Sequence, residues 1–263
     1  MRLVVMGGGK MGEALVAGLV RAGWDPADIH VAEVVAARRE ELAARYPGLG
    51  TGPGPVAAPG AVVAVKPADV VAACTALREA GVGRVLSIAA GIPTRRIEDV
   101  VGPGVPVVRA MPNTPAVVGA GAAAIAPGAH AGEADLAWAE EILGAVGTVV
   151  RVPEHLLDAV TGLSGSGPAY VFLVAEAMVD GGVAAGLPRD VAVTLAVQTL
   201  VGSARLLADS GETAEALRAA VTSPGGTTAA GLRRLERAAV RSAFIEAVLA
   251  ATERSRELGR QPG

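Results

Sequence analysis

Three glycines between an apolar run and a helical pattern constrain this chain more than any other feature. RLVVM reads as a strand and KMGEALVAGLVRAG as a helix, and Gly7-x-Gly9-x-x-Gly12 joins them. The same glycines occur in plain turns of α/β proteins, so the spacing alone is weak. Here it follows a strand, opens a helix and begins a βαβ unit, which is the setting a dinucleotide requires. In that setting Gly7 makes the tight turn, Gly9 lets a pyrophosphate reach the backbone, and Gly12 lets helix and strand pack closely. Gly7, Gly9, Lys10, Met11 and Gly12 are therefore candidate cofactor contacts.

The alternation continues beyond this unit. IHVAE is a second strand and VAARREELAARY a second helix, followed by a glycine- and proline-rich loop, PGLGTGPGPVAAPG. AVVAVK, RVLSIA, VPVVRAM, GAAAIAP and TVVRV read as further strands, with helices over ADVVAACTALREA and from Glu133 to about Leu143. Strands alternating with helices predict an α/β, doubly wound, largely parallel sheet. The alternation stops near Pro153. Beyond it lie only helical patterns: from about Pro168 to Gly186, from Pro188 to about Asp209, over ETAEALRAAV, and from the TSPGGTT stretch to about Leu258. Two domains are expected, 1–152 and 153–263. The apolar faces of the second are larger than so short a bundle can bury alone, which predicts a partner subunit. The tail RELGRQPG is expected to fray.

The second strand ends at Glu33, about 20 residues after the glycine loop, where a carboxylate accepts hydrogen bonds from an adenosine ribose and repels a 2′-phosphate. Arg38 and Arg39 lie one turn further on. They are either phosphate ligands or part of a charged solvent face in ARREEL. Three more loops follow strands, where open α/β sheets bind ligands. They bring Val65, Lys66 and Pro67, then Ala89, Ala90 and Gly91, then Met111, Pro112 and Asn113. Each is ordinary loop chemistry by itself; three on one sheet edge describe a dinucleotide crevice.

Composition narrows the partners. The 263 residues carry a net charge of −3 with no basic stripe, which argues against nucleic acid. Cys74 is the single cysteine and His30, His130 and His155 are scattered, so no metal-ligand spacing emerges. The opening apolar run is too short for a signal peptide, and no uninterrupted apolar run is long enough to span a bilayer. A cytoplasmic protein is expected.

The stretch TSPGGTTAAGLRRLE, from Thr222 to Glu236, admits two readings: a helix cap after a loop, or an anion site on the free N–H groups and positive dipole end of a helix. Together with VVMGGGKMGEAL, VAVKP, SIAAGIP, RAMPNTPAVVGAG and VTGLSGSGPAYVFLVAEAMVDGGVAAGLPR, this stretch makes nearly the whole chain resemble pyrroline-5-carboxylate reductase. The resemblance implies an N-terminal Rossmann domain and an all-α dimerisation domain. It also implies interleaved helices in a homodimer, sometimes a ring of dimers, and an active site between the cofactor domain and the helical domains. The activity implied is reduction of the cyclic imine 1-pyrroline-5-carboxylate to L-proline with NADPH or NADH. Under the resemblance, Ser223, Gly226 and Thr227 would hold the substrate carboxylate. Thr228 would meet the ring nitrogen as the catalytic hydroxyl, and Val221 would pack on the ring. Members favouring NADPH usually carry a small polar residue and an Arg after the second strand, where this chain has Glu33 and Val34; acceptance of NADH is expected. Rival readings are a reductase of a related cyclic imine, a non-catalytic dinucleotide-binding regulatory dimer, and a β-hydroxyacid dehydrogenase. The last needs a lysine in the second domain, and the only lysines are Lys10 and Lys66.

Overall fold

The computed structural model describes residues 2–260. They divide into two compact units, the first running to Ser166 and taking back the chain from Leu249, the second spanning Gly167–Val248.

The first unit is built on one eight-stranded sheet. Its strands are β1 (Leu3–Met6), β2 (Ile29–Ala32), β3 (Gly50–Gly52), β4 (Gly60–Val63), β5 (Val85–Ser87), β6 (Val107–Met111), β7 (Gly121–Pro127) and β8 (Gly147–Arg151). The order is β3-β2-β1-β4-β5-β6-β7-β8, and every neighbouring pair is parallel except β6 and β7. The first six strands thus follow 3-2-1-4-5-6, the doubly wound order that opens a crevice where the order reverses, between β1 and β4. Every residue of β1, β2 and β4 is buried, as apolar runs covered on both faces by helices must be. The crossover helices are α1 (Lys10–Arg21), α2 (Ala36–Arg45), α3 (Val70–Glu79), α4 (Thr94–Val101) and α5 (Glu133–Gly144). One core layer gathers Leu15, Leu19, Leu42, Trp138 and Ile142, and the other gathers Val70, Leu77, Ile97 and Val101. Cys74 lies in the second layer, and burial pushes its thiol up to about 11, so it acts as a small apolar residue.

Two expectations for this unit need correction. PGLGTGPGPVAAPG is not all loop: Gly50–Gly52 forms the edge strand β3, paired with His30–Ala32. Its glycines hide the strand, since only Thr51 has a side chain. The segment TRRIEDVV, unassigned in the sequence, is α4.

After β8 come a short α6 (Leu157–Val160) and a π-helical turn, Thr161–Gly165. Leu157 is buried with Ala124 and Ala126 of β7. The first unit therefore runs past the change of pattern at Pro153.

The second unit contains α7 (Gly167–Ala184), α8 (Arg189–Asp209), α9 (Ala214–Ala220), α10 (Thr227–Arg237) and the start of α11 (Val240–Arg260). The single helix expected from the TSPGGTT stretch to about Leu258 is two helices. Ala239 breaks it with φ +53°, the only positive φ of a non-glycine residue among those described. Alanine carries no stop signal in the sequence, which is why periodicity ran through it. By length and composition α8 is apolar enough to cross a membrane, with mean hydropathy 1.6, although Thr194, Gln198, Thr199, Ser203 and Arg205 interrupt its apolar run. Of the tail RELGRQPG, residues through Arg260 are helical, and Gln261, Pro262 and Gly263 lie outside the described residues.

Candidate active site

Parallel register brings the expected cofactor loops to one edge of the first unit. Met6 pairs with Ala32 and with Val63, and Val63 with Ser87. The residues that follow, Gly7, Glu33, Ala64 and Ile88, therefore stand level at the carboxyl ends of β1, β2, β4 and β5. Lys66 and Pro67 continue from β4, Ala89, Ala90 and Gly91 from β5, and Pro112 and Asn113 from β6.

The glycine loop has three different reasons for its glycines. Gly7 takes φ +100°, and a Cβ there would lie 2.8 Å from the Ala64 carbonyl oxygen. A Cβ at Gly12 would lie 2.1 Å from the Gly7 carbonyl oxygen, so α1 can start this close to the turn only without a side chain. Gly9 is different. Its φ is −67°, and a Cβ there would meet nothing within 4 Å. Neither backbone conformation nor packing asks for glycine at this position, which leaves room for a ligand against the backbone. Gly9 also caps α1 without a side-chain bond, leaving first-turn N–H groups for an anion. The loop fits a dinucleotide pyrophosphate.

Glu33 lies beside this loop. Its Oε2 accepts from the Gly8 N–H at 2.8 Å and its Oε1 from the Val35 N–H at 2.9 Å. A carboxylate accepts about four hydrogen bonds, so acceptor sites for a ribose diol remain. Val34 and Val35 follow it, 81% and 55% exposed. The arginines do not form the solvated face that ARREEL suggested. Arg38 donates through Nε to the Gly8 carbonyl at 2.7 Å, and Arg39 through Nη1 to the carbonyls of Glu33 and Val34 at 2.7 and 3.0 Å.

Asn113 uses both ends of its amide inside the protein. Nδ2 donates to the Ser164 carbonyl at 3.0 Å, and Oδ1 accepts from the Ala122 N–H at 2.9 Å. It fixes the β6–β7 connection to the π-helical turn and keeps one further donor and one further acceptor site on its amide. The Met111 side chain likewise packs with the patch around Leu157. Glu154, which the sequence did not mark, accepts from the Thr94 N–H and Oγ1, both at 2.8 Å, and from Arg109 Nη1 at 3.2 Å. A carboxylate there offsets the positive end of α4 and anchors the loop that starts at Ala89.

In the second unit the TSPGGTT stretch closes a turn, with the Gly226 N–H donating to the Ser223 carbonyl at 3.1 Å and Gly225 at φ +71°. Gly226 is the cap residue of α10 and has no side chain to offer. Thr227 and Thr228 are already helical, and neither caps. Both are exposed, as is Val221 at 63%. Gly226 caps α10 through its backbone alone, so neither threonine side chain serves as the cap.

Residues 154–258 match the family described as pyrroline-5-carboxylate reductase dimerisation, and residues 2–91 match NADP oxidoreductase, coenzyme F420-dependent. A pyrroline-5-carboxylate reductase of Mycobacterium tuberculosis is 46% identical over 98% of this chain and 96% of its own. The chain belongs to the pyrroline-5-carboxylate reductase family. Solved structures agree. The reductase from Coxiella burnetii superposes with TM-score 0.93 at 35% identity, covering 99% of both chains. The Plasmodium falciparum pyrroline carboxylate reductase with NADP bound superposes with TM-score 0.84 at 28% identity, covering 98% of both. An N-terminal Rossmann domain followed by an all-α dimerisation domain is thus the family architecture here.

Within this family member, sequence reasoning missed Gly8, Glu13 and Glu154. The first had a visible signal, a third glycine in GGG. A Cβ at Gly8 would lie 2.7 Å from Leu42 Cδ1, so a side chain there has to displace the buried Leu42 side chain. Glu13 and Glu154 sit in ordinary polar positions of their segments, and only the fold reveals their partners.

Proposed function

We propose that this chain reduces 1-pyrroline-5-carboxylate to L-proline. The observation that carries the reading is α10, whose N-terminus has two threonines and a cap residue without a side chain, in a member of this reductase family. Ser223, Gly226 and Thr227 hold the substrate carboxylate, gaining about 0.3–2 kcal/mol from the helix dipole beyond the individual hydrogen bonds. Thr228 orients the ring nitrogen through its hydroxyl, and Val221 covers the ring. A bound reduced nicotinamide supplies the hydride for the imine carbon. Because the imine can be protonated in solution, the protein orients the reactants and needs no strong acid. Gly7, Gly9, Lys10, Met11, Gly12, Glu33, Val65, Lys66, Pro67, Ala89, Ala90, Gly91, Met111, Pro112 and Asn113 form the cofactor side. By role, residues 1–152 serve the cofactor and 153–263 the substrate and the dimer. The dimer, alone or in a ring of dimers, works in the cytoplasm.

Absorbance of the reduced cofactor tests the reaction. It should fall only when the imine is added, with proline as product. Cofactor binding without oxidation would favour a regulatory dimer instead. Both lysines, Lys10 and Lys66, precede the dimerisation segment, which disfavours β-hydroxyacid dehydrogenase chemistry.

Cofactor preference follows from Glu33. NADH is accepted at least as well as NADPH, because a carboxylate already held by Gly8 and Val35 repels a 2′-phosphate. Glu33→Ser should raise the NADPH/NADH ratio of kcat/KM about ten-fold, on the scale of one charged hydrogen bond. An unchanged ratio would remove Glu33 from the ribose.

A further inference from the structure

Arg39 donates to the Glu33 main chain, while Arg38 reaches the Glu33 carboxylate through the Gly8 peptide and is held there by a residue outside the cofactor set. The Arg38 Nε donates to the Gly8 carbonyl at 2.7 Å, its Nη1 to Glu41 at 2.9 Å, and its Nη2 to Glu13 Oε2. The other oxygen of Glu13 accepts from Arg45. The Glu13 and Arg38 side chains are 17% and 24% exposed, whereas Arg45 and Glu41 are each 61% exposed. The Glu13–Arg38 pair is therefore the sheltered part of the network, and the outer pairs are screened. Partial burial works to raise the Glu13 carboxyl, but hydrogen bonds from Arg38 and Arg45 overcome it and hold it below the usual carboxylate range. Gly8 links this pair to the ribose side. Its N–H donates to Glu33 while its carbonyl accepts from Arg38.

We propose that Glu13 is a positioning residue that sets cofactor preference through Arg38. It keeps the guanidinium on the Gly8 carbonyl, which holds the Gly8 N–H on Glu33 and keeps Arg38 away from a 2′-phosphate. The inference rests on the assignment of Glu33 to the ribose. Without Glu13, Arg38 keeps only exposed Glu41 as a carboxylate partner, and its planar fork can turn to a phosphate.

The test is equilibrium binding of NADH and NADPH without imine, read by cofactor fluorescence, together with steady-state kinetics, for wild type, Glu33→Ser, Glu13→Gln, Glu13→Asp and the double variant Glu13→Gln/Arg38→Gln. Glu13→Gln should lower Kd and KM for NADPH about ten-fold, the scale of one charge-assisted hydrogen bond, with kcat unchanged. The gain should shrink as salt is raised. Glu13→Asp should stay close to wild type, and the double variant should lose the gain. A gain that survives loss of Arg38, or equal KM changes for both cofactors, overturns the inference. If Glu33→Ser shifts the ratio and Glu13→Gln does not, the inference falls while the ribose assignment stands. If neither shifts it, both fall. Should Glu13→Gln fail to fold, Arg38→Gln alone decides. A rise of about five-fold in KM for NADH at constant kcat supports the inference, being the loss of one bond to the Gly8 peptide; an unchanged KM overturns it.

Discussion

The two compact units draw on the same small apolar residues and bury them differently. In the first, crossover helices cover both faces of the sheet, and Leu3, Leu15, Ile29, Leu86, Ile125 and Ile142 are fully shielded. In the second, Val179, Ala192 and Ala196 are the only buried hydrophobics among the described residues. Phe172, Leu173, Leu195, Leu206, Phe244 and Ile245 are all more than 40% exposed. The difference is one of patterning. A helix apolar on one stripe finishes its burial within its own unit, whereas a helix apolar all round must be buried by something else. In α7 the run YVFLVAEAM leaves no polar face wide enough for water. For a chain of this family the covering element is a second copy, and the same need accounts for the membrane-like composition of α8.

The largest expected effect comes from breaking that contrast. Leu173→Glu places a charge on the exposed apolar face of α7, where association would bury it unpaired at a cost of several kcal/mol. Light scattering should show monomers at micromolar concentration, with activity lost. The melting transition of the first unit should remain, because its core does not depend on Leu173. A stable, active dimer would move the interface to another face.

Gly12→Ala tests the opposite side of the comparison, the tightness of the first unit. The added methyl would lie 2.1 Å from the Gly7 carbonyl oxygen, so the glycine loop has to shift. A displacement on the order of 1 Å at a cofactor site can cost about a hundred-fold in kcat/KM. Both cofactors should lose affinity together while the protein remains dimeric. A parallel loss of dimer would mean that the two units are not independent in this respect.

Legibility in the sequence follows the same division. The α/β sheet was readable because VVM, VVAV and VLS are short apolar runs between glycine turns and helical repeats, and their ends mark the cofactor edge automatically. β3 was not, because a strand of Gly50, Thr51 and Gly52 has almost no side chains to show a period of two. The break at Ala239 was invisible because its cause is a backbone conformation that alanine does not advertise. Arg38 stayed open between a phosphate ligand and a solvated face because charge spacing alone cannot show a guanidinium turned back onto Gly8. The TSPGGTT stretch was legible as a motif, and what the structure adds is negative: Gly226 occupies the cap position, so neither threonine side chain caps the helix.

Thr228 gives the smallest expected effect and separates substrate chemistry from folding. The residue is exposed in the single chain and does not cap α10. Thr228→Ala should therefore leave the melting temperature almost unchanged, where loss of a true cap would cost about 1 kcal/mol of stability. Catalysis should respond instead. Removing one hydroxyl from the ring nitrogen costs about 1.4 kcal/mol, roughly ten-fold in kcat/KM for the imine. KM for the reduced cofactor should stay constant, because the proposed cofactor contacts all lie in the first unit. Thr228→Ser keeps the oxygen and should retain much of the rate, since a hydroxyl without the methyl still donates and accepts. A variant Thr228→Ala that melts lower but turns over at the wild-type rate would return this residue to a structural role. The substrate assignment would then have to rest on the backbone N–H groups of the α10 N-terminus alone.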